Sequence, residues 1–180
     1  MSGLTITEAL AEIKTIGKRI QKKQQFISAY LVRQDKFKDP LASEAGGSVG
    51  AIEREIQSIF DLSARIIMLR RAIQAENARV VITIGDKALT IAEWLVWRRD
   101  VLPAHEAFIS SLISGIKQTR AQAATKGIAV VPSGEAKNSD DVIINLDETW
   151  LAHQAEELEK IKGELDGQLS LKNATVVITV

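Results

Sequence analysis

The stretch Asn77-Ala78-Arg79-Val80-Val81-Ile82-Thr83-Ile84 returns near the other end of the chain as Asn173-Ala174-Thr175-Val176-Val177-Ile178-Thr179-Val180. Each copy follows a long charged segment with helical spacing. Each opens at an Asn, a residue that tolerates the left-handed conformation of a helix C-cap. Each then alternates β-branched residues at period two, the pattern of a short strand. The repetition predicts one structural role for both: strands of a single small sheet, holding residues 80–90 and 174–180, on which helices pack.

Upstream of the first copy, a helix is predicted from about Val49 to Glu76, with Ile52, Ile56, Ile59, Ile66 and Ile73 as its inward stripe. Phe60, Leu62, Ile67 and Leu69 broaden that stripe. Before it, Asp39-Pro40 and Ser43-Glu44-Ala45-Gly46-Gly47-Ser48 form a loop, because Pro stops a helix and paired Gly frees the chain to turn. The opening segment Thr5-Ile6-Thr7-Glu8 fits a capping box. Behind it Ile6, Leu10, Ile13, Gly17, Ile20, Gln24, Ile27 and Leu31 alternate four- and three-residue spacing, a heptad seam. Lys14, Lys18, Arg19, Lys22 and Lys23 occupy the other face. A helix from Ile6 to about Phe37 is roughly 48 Å long at ~1.5 Å per residue. The short connection makes residues 5–76 an antiparallel helical hairpin.

Downstream of the first copy, Gly85-Asp86 separates the strand from Lys87-Ala88-Leu89-Thr90, the signal of a Gly-first hairpin turn. Thr90-Ile91-Ala92-Glu93 is a second capping box, and a third helix follows with Pro103 predicting a kink or a break. These parts occupy 77–120. Residues 121–147 read as a loop or arm, in which Ile128–Val131 and Val142–Leu146 are brief strand candidates. Residues 148–180 read as a final helix, capped by Asn145 or Asp147, and the second Asn-Ala strand. The fold class is therefore mainly α (α+β). It is a long antiparallel helical hairpin or bundle with a small sheet made by the hairpin and the C-terminal strand, all in one domain over 1–180.

Composition narrows the role. The 180 residues carry no net charge, which gives no global attraction to nucleic acid or an acidic membrane surface. The charge is uneven, net basic before Val131 and net acidic after it. With no Cys, disulfides, thiolate catalysis and Cys-based metal sites are excluded. The opening residues lack the basic and apolar regions of a signal peptide, so synthesis in a cytoplasm is expected. No apolar run approaches the ~18 residues of a membrane span.

No residue constellation names a reaction. His105 and His153 are the only imidazoles and have no neighbours at metal-ligand spacing. Phosphate-cradling loops and dinucleotide turns are absent from the sequence. Glu156-Glu157-Glu159 reads as the wet face of the last helix before it reads as a cation site. Catalytic residues, metal ligands and cofactors are accordingly all assigned as none. An enzyme would need a buried polar pocket around Trp94, His105 or His153. The densest group is Trp94-Trp97-Arg98-Arg99, where aromatics beside Arg suit either core anchoring at the sheet or an interface.

The layout resembles the septicolysin-like proteins. The resemblance rests on Glu8-Ala9-Leu10, Lys18-Arg19-Ile20-Gln21, Arg65-Ile66 with Asn77, and the hairpin-to-helix turn through Gly85, Leu89-Thr90 and Ala92-Glu93. Arg99-Asp100, and Asn173 with Thr175, complete it over most of the chain. It implies a helical hairpin body with a small β element and, from the family's name, a membrane-associated role. It carries over no catalytic residue.

The seams, the strand edges and the lack of catalytic residues together point to a non-enzymatic, self-assembling structural subunit, most concretely a bacteriophage virion component. Its expected partners are further copies of itself and other structural proteins. Trp94, Trp97, Arg98, Arg99, Val176, Ile178 and Val180 are the candidate interface residues, since an edge strand is a template for a neighbouring chain. Both chain ends are expected to be tied down in such an assembly.

Overall fold

A computed structural model describes residues 3–179, so Val180, the last residue of the second repeat, lies outside the described residues. The elements run β1 (Leu4–Thr5), α1 (Ile6–Tyr30), α2 (Gly47–Arg79), β2 (Val81–Ile84), β3 (Lys87–Thr90) and α3 (Ile91–Val96). A π-helical turn (Trp97–Val101) joins α3 to α4 (Leu102–Thr125). Then come β4 (Val130–Pro132), β5 (Val142–Ile144), α5 (Glu148–Thr175) and β6 (Val177–Ile178). The fold is mainly α, four long helical runs with small β elements.

The strands do not make one sheet. Among the described residues they form three two-stranded pairs, β1 with β6, β2 with β3, and β4 with β5, the last parallel. The two Asn-Ala strands therefore lie in different sheets, and β6 finds its partner in Leu4–Thr5. Two residues are too few to show a period of two, so β1 was invisible as a strand. The Asn residues also act differently from the expected caps. α2 and α5 continue through Asn77 and Asn173, and among the described residues every positive φ belongs to a Gly.

The chain divides into two compact units, Met1–Arg79 with Ser170–Val180, and Val80–Leu169. In the first unit, the Thr5 backbone N–H donates to Glu8 Oε2 at 2.7 Å while Glu8 N–H donates to Thr5 Oγ1 at 3.2 Å, the predicted capping box. α1 ends at Tyr30 rather than near Phe37, because the next seam positions, Gln34 and Lys38, are polar. The Asp39 carboxylate then orders the loop, accepting from Leu41 N–H, Ser48 N–H and the Ser48 hydroxyl at the start of α2. Ile6, Ala9 and Ile16 of α1 bury against Leu69 and Ile73 of α2 and Ile178 of β6.

In the second unit, Gly85 takes φ 58° and Asp86 does not, as a Gly-first two-residue turn requires. The hairpin registers Ile82 with Leu89 and Val81 with Thr90. Thr90 and Glu93 repeat the capping box at 2.7 and 3.2 Å. Ile82, Ile84, Ile91 and Trp94 bury against Leu165 and Leu169 of α5. Just before Pro103, where a kink or a break is expected, the helix widens: Leu102 N–H donates to Trp97 O, five residues back. Pro103 has no N–H to offer the Arg99 carbonyl, and the wide turn is how the helix passes that gap.

The two units match piece by piece. Leu4-Thr5-Ile6 before α1 corresponds to Leu89-Thr90-Ile91 before α3, with the same cap. Ile6 N–H donates to Val176 O at 3.1 Å, and Ile91 N–H donates to Val80 O at 2.9 Å. Leu4 faces Ile178, and Leu89 faces Ile82. Leu69 and Ile73 correspond to Leu165 and Leu169, buried at the same distance before each Asn-Ala repeat. From Ala9 to buried Ile16 is seven residues, and from Trp94 to buried Leu102 is eight; the π turn absorbs the extra one. The chain is thus two copies of one strand–helix–helix–strand element. Each copy's last strand pairs with the first strand of the other copy.

Candidate interaction surfaces

Trp94 stands one turn into α3, behind the Thr90 cap, with 0% of its surface exposed. Its indole Nε1–H donates to Ile82 O at 2.9 Å, and Trp97 meets its ring edge-on at 5.5 Å. That places Trp94 in the core, the first of its two sequence readings. It has no free surface for a partner. Trp97 is half-buried against the same cluster.

The π turn directs the arginines outward. Arg98 pairs with Asp166 at 3.0 Å, and Arg99 pairs with its neighbour Asp100 at 2.7 Å. The hydrogen bonds of the second pair hold Arg99 above and Asp100 below their ordinary pKa values. The four residues do not converge on one pocket: two stack inward, and each guanidinium is engaged with its own carboxylate.

The C-terminal strand is also spent internally. Ile178 is 0% exposed against β1, and Val176 packs on the same core while its carbonyl accepts from Ile6. Only Val177 is exposed among the described residues of β6. The strand was legible in the sequence, but its partner was not.

His105 and His153 lie on exposed faces of α4 and α5. Among the described residues, no group of three or more His, Cys, Asp or Glu side chains is placed to hold a metal ion.

Two surfaces stand out among the described residues. Between α4 and α5 runs a groove floored by Ile109, Ile113, Leu151 and Leu158, with cavities of about 420 and 370 Å³. Ion pairs close its two ends. Lys162 Nζ reaches Glu106 at 3.0 Å and Glu159 at 3.2 Å, and Arg120 pairs with Glu148. The hydrogen bonds that Lys162 donates to both carboxylates, Glu106 first, raise its pKa.

The second surface is the outer face of α2, turned away from Leu69 and Ile73. Val49 is 68% exposed, Phe60 62%, Ile67 67% and Met68 53%, with Ile56 at 38%. The sequence reading assigned Ile56, Phe60 and Ile67 to the inward stripe, and the structure turns them out. α2 is apolar on two sides, so helical periodicity alone does not choose which side meets α1. Their exposure, not their spacing, is the signal that marks them as unpartnered.

No family model and no curated protein matches the chain. Among solved structures, it is similar to a functionally unknown conserved protein from Corynebacterium diphtheriae, with a TM-score of 0.56 and 17% identity. The likeness covers 99% of this chain and 100% of that one, and what it shows is the fold.

Proposed function

We propose that the chain is a non-catalytic structural subunit that self-associates, with a bacteriophage virion component as the most specific form of that role. The observation that carries this reading is the outer face of α2. Large apolar side chains are exposed there in succession along one helix, whereas scattered single apolar residues need no explanation. Leaving such a face in water is unfavourable, and association removes it from water. The partners are further copies of the chain and the other structural proteins of the assembly.

Light scattering of the full chain over a concentration series tests self-association. A discrete oligomer supports it, and a monodisperse monomer throughout overturns it. For the virion form, the chain should be present in fixed stoichiometry in particles purified from its source. Its absence from them overturns that form and leaves self-association standing.

A further inference from the structure

The exposed face of α2 carries its own complement. Glu53 and Arg71 are both exposed and stand eighteen residues apart, five full turns at ~3.6 residues per turn, so they project from the same side. Between them, Ile56, Phe60, Ala64 and Met68 follow at intervals of three or four residues. All are exposed.

We propose that a second copy of this chain docks here, α2 against α2 in antiparallel sense, about a two-fold axis at the level of Leu62. The inference rests on self-association and adds the face, the direction and the register. In that register Glu53 of each chain meets Arg71 of the other, giving two ion pairs at the ends of the contact. Ile56 meets Met68. Phe60, the largest side chain of the face, meets Ala64, the smallest, so bulk is set against a gap in both directions. A two-fold contact of this kind is isologous and closes on itself. Parallel pairing would place Glu53 on Glu53 and Arg71 on Arg71, which repel. The charges thus select the antiparallel arrangement.

Among the described residues, neither ion of the pair has a partner within its own chain. Glu55, by contrast, lies on the inner side and binds Lys23 at 2.7 Å, and Arg65 binds Glu12 at 2.8 Å.

Charge exchange tests the register. The full chain, Arg71→Glu, Glu53→Arg and the double exchange E53R/R71E are compared by sedimentation over a concentration series, with circular dichroism confirming that each is folded. The dimer is expected to weaken at least about tenfold in each single variant and to return to within about threefold of the parent in the double exchange. Phe60→Glu provides a second variant and should abolish the dimer in either charge background. An oligomer indifferent to all of these changes overturns the α2 register while leaving self-association intact. Loss in the single variants without recovery in the double exchange also overturns it. A parent chain that stays monomeric at the highest concentration overturns both.

Discussion

Truncating Leu69 and Leu165 separately to Ala tests whether the two copies are energetically as well as geometrically alike. Both side chains are buried, on α2 and α5, and each packs next to the strand that completes its unit. Fully burying a Leu side chain contributes about 1.5–3 kcal/mol. Removing it from a packed site costs about 2–5 kcal/mol, because the cavity left behind collapses only in part. With matched burial and matched neighbours, the two losses should agree within about 1 kcal/mol, near the middle of that range. In urea this is a fall in midpoint of roughly 1–2 M for m-values of ordinary size.

The tryptophans make the assay selective. Trp94, Trp97 and Trp150 all lie in Val80–Leu169, so their fluorescence follows the second unit, while far-ultraviolet circular dichroism follows every helix. Leu165→Ala should move the fluorescence transition. Leu69→Ala should move the dichroism transition, with fluorescence following only if the units unfold together. If one truncation costs less than about 1 kcal/mol and the other more than about 3, the two sites do not share one packing environment, and the internal match fails.

Thr5→Ala and Thr90→Ala should each cost about 1 kcal/mol by loss of the N-cap, again as a matched pair in thermal denaturation. Replacing Trp94 by Phe keeps a ring but loses the indole hydrogen bond to the Ile82 carbonyl and part of the buried bulk, and should lower stability by about 1–3 kcal/mol, read by chemical denaturation. The Asp39 carboxyl is held down to about 2, chiefly by the Ser48 hydroxyl and then by the backbone N–H groups of Ser48 and Leu41. A depressed carboxyl stabilises above its unfolded value, near 3.9, and that stabilisation is lost as pH falls toward 2. Amide exchange at the start of α2 should therefore quicken over that interval, and Ser48→Ala should remove the step. Deleting Asp100 in a Pro103→Ala background should convert the π turn to regular helix and leave the protein folded, since it restores the spacing of the first copy without a proline in the helix interior; loss of helical dichroism would count against the match.

Local signals in the sequence carried well. Both capping boxes, the Gly85-Asp86 turn and the two long helices before the Asn-Ala stretches are set by residues within a few positions of one another. Non-local choices did not carry. Which strand Val177–Ile178 joins depends on Leu4–Thr5 at the far end of the chain, and no local pattern encodes that pairing. The same holds for Trp94, whose two readings are separated only by the Ile82 carbonyl it reaches. The orientation of α2 was ambiguous because both of its sides are apolar, and Phe60 and Ile67 went to the wrong one.

One contact shows how the copies diverged. In the first unit, Arg65 of α2 binds Glu12 of α1. The corresponding places in the second hold Ile161 and Trp97, packed on the core. A charged pair near the surface and an apolar pair of similar bulk serve the same spacing, since an exposed ion pair contributes little on its own.

The pairing of β1 with β6 has a topological consequence. Leu4 and Ile178 sit on adjacent strands, about 5 Å apart across the ladder. A short linker from Thr179 back to Gly3 would close these residues into a ring without disturbing either strand. Opened at Gly85-Asp86, the ring would become a permuted protein that begins with the second copy and ends with the first, with the order of secondary structure nearly unchanged. The backbone thus has two nearly equivalent places to start.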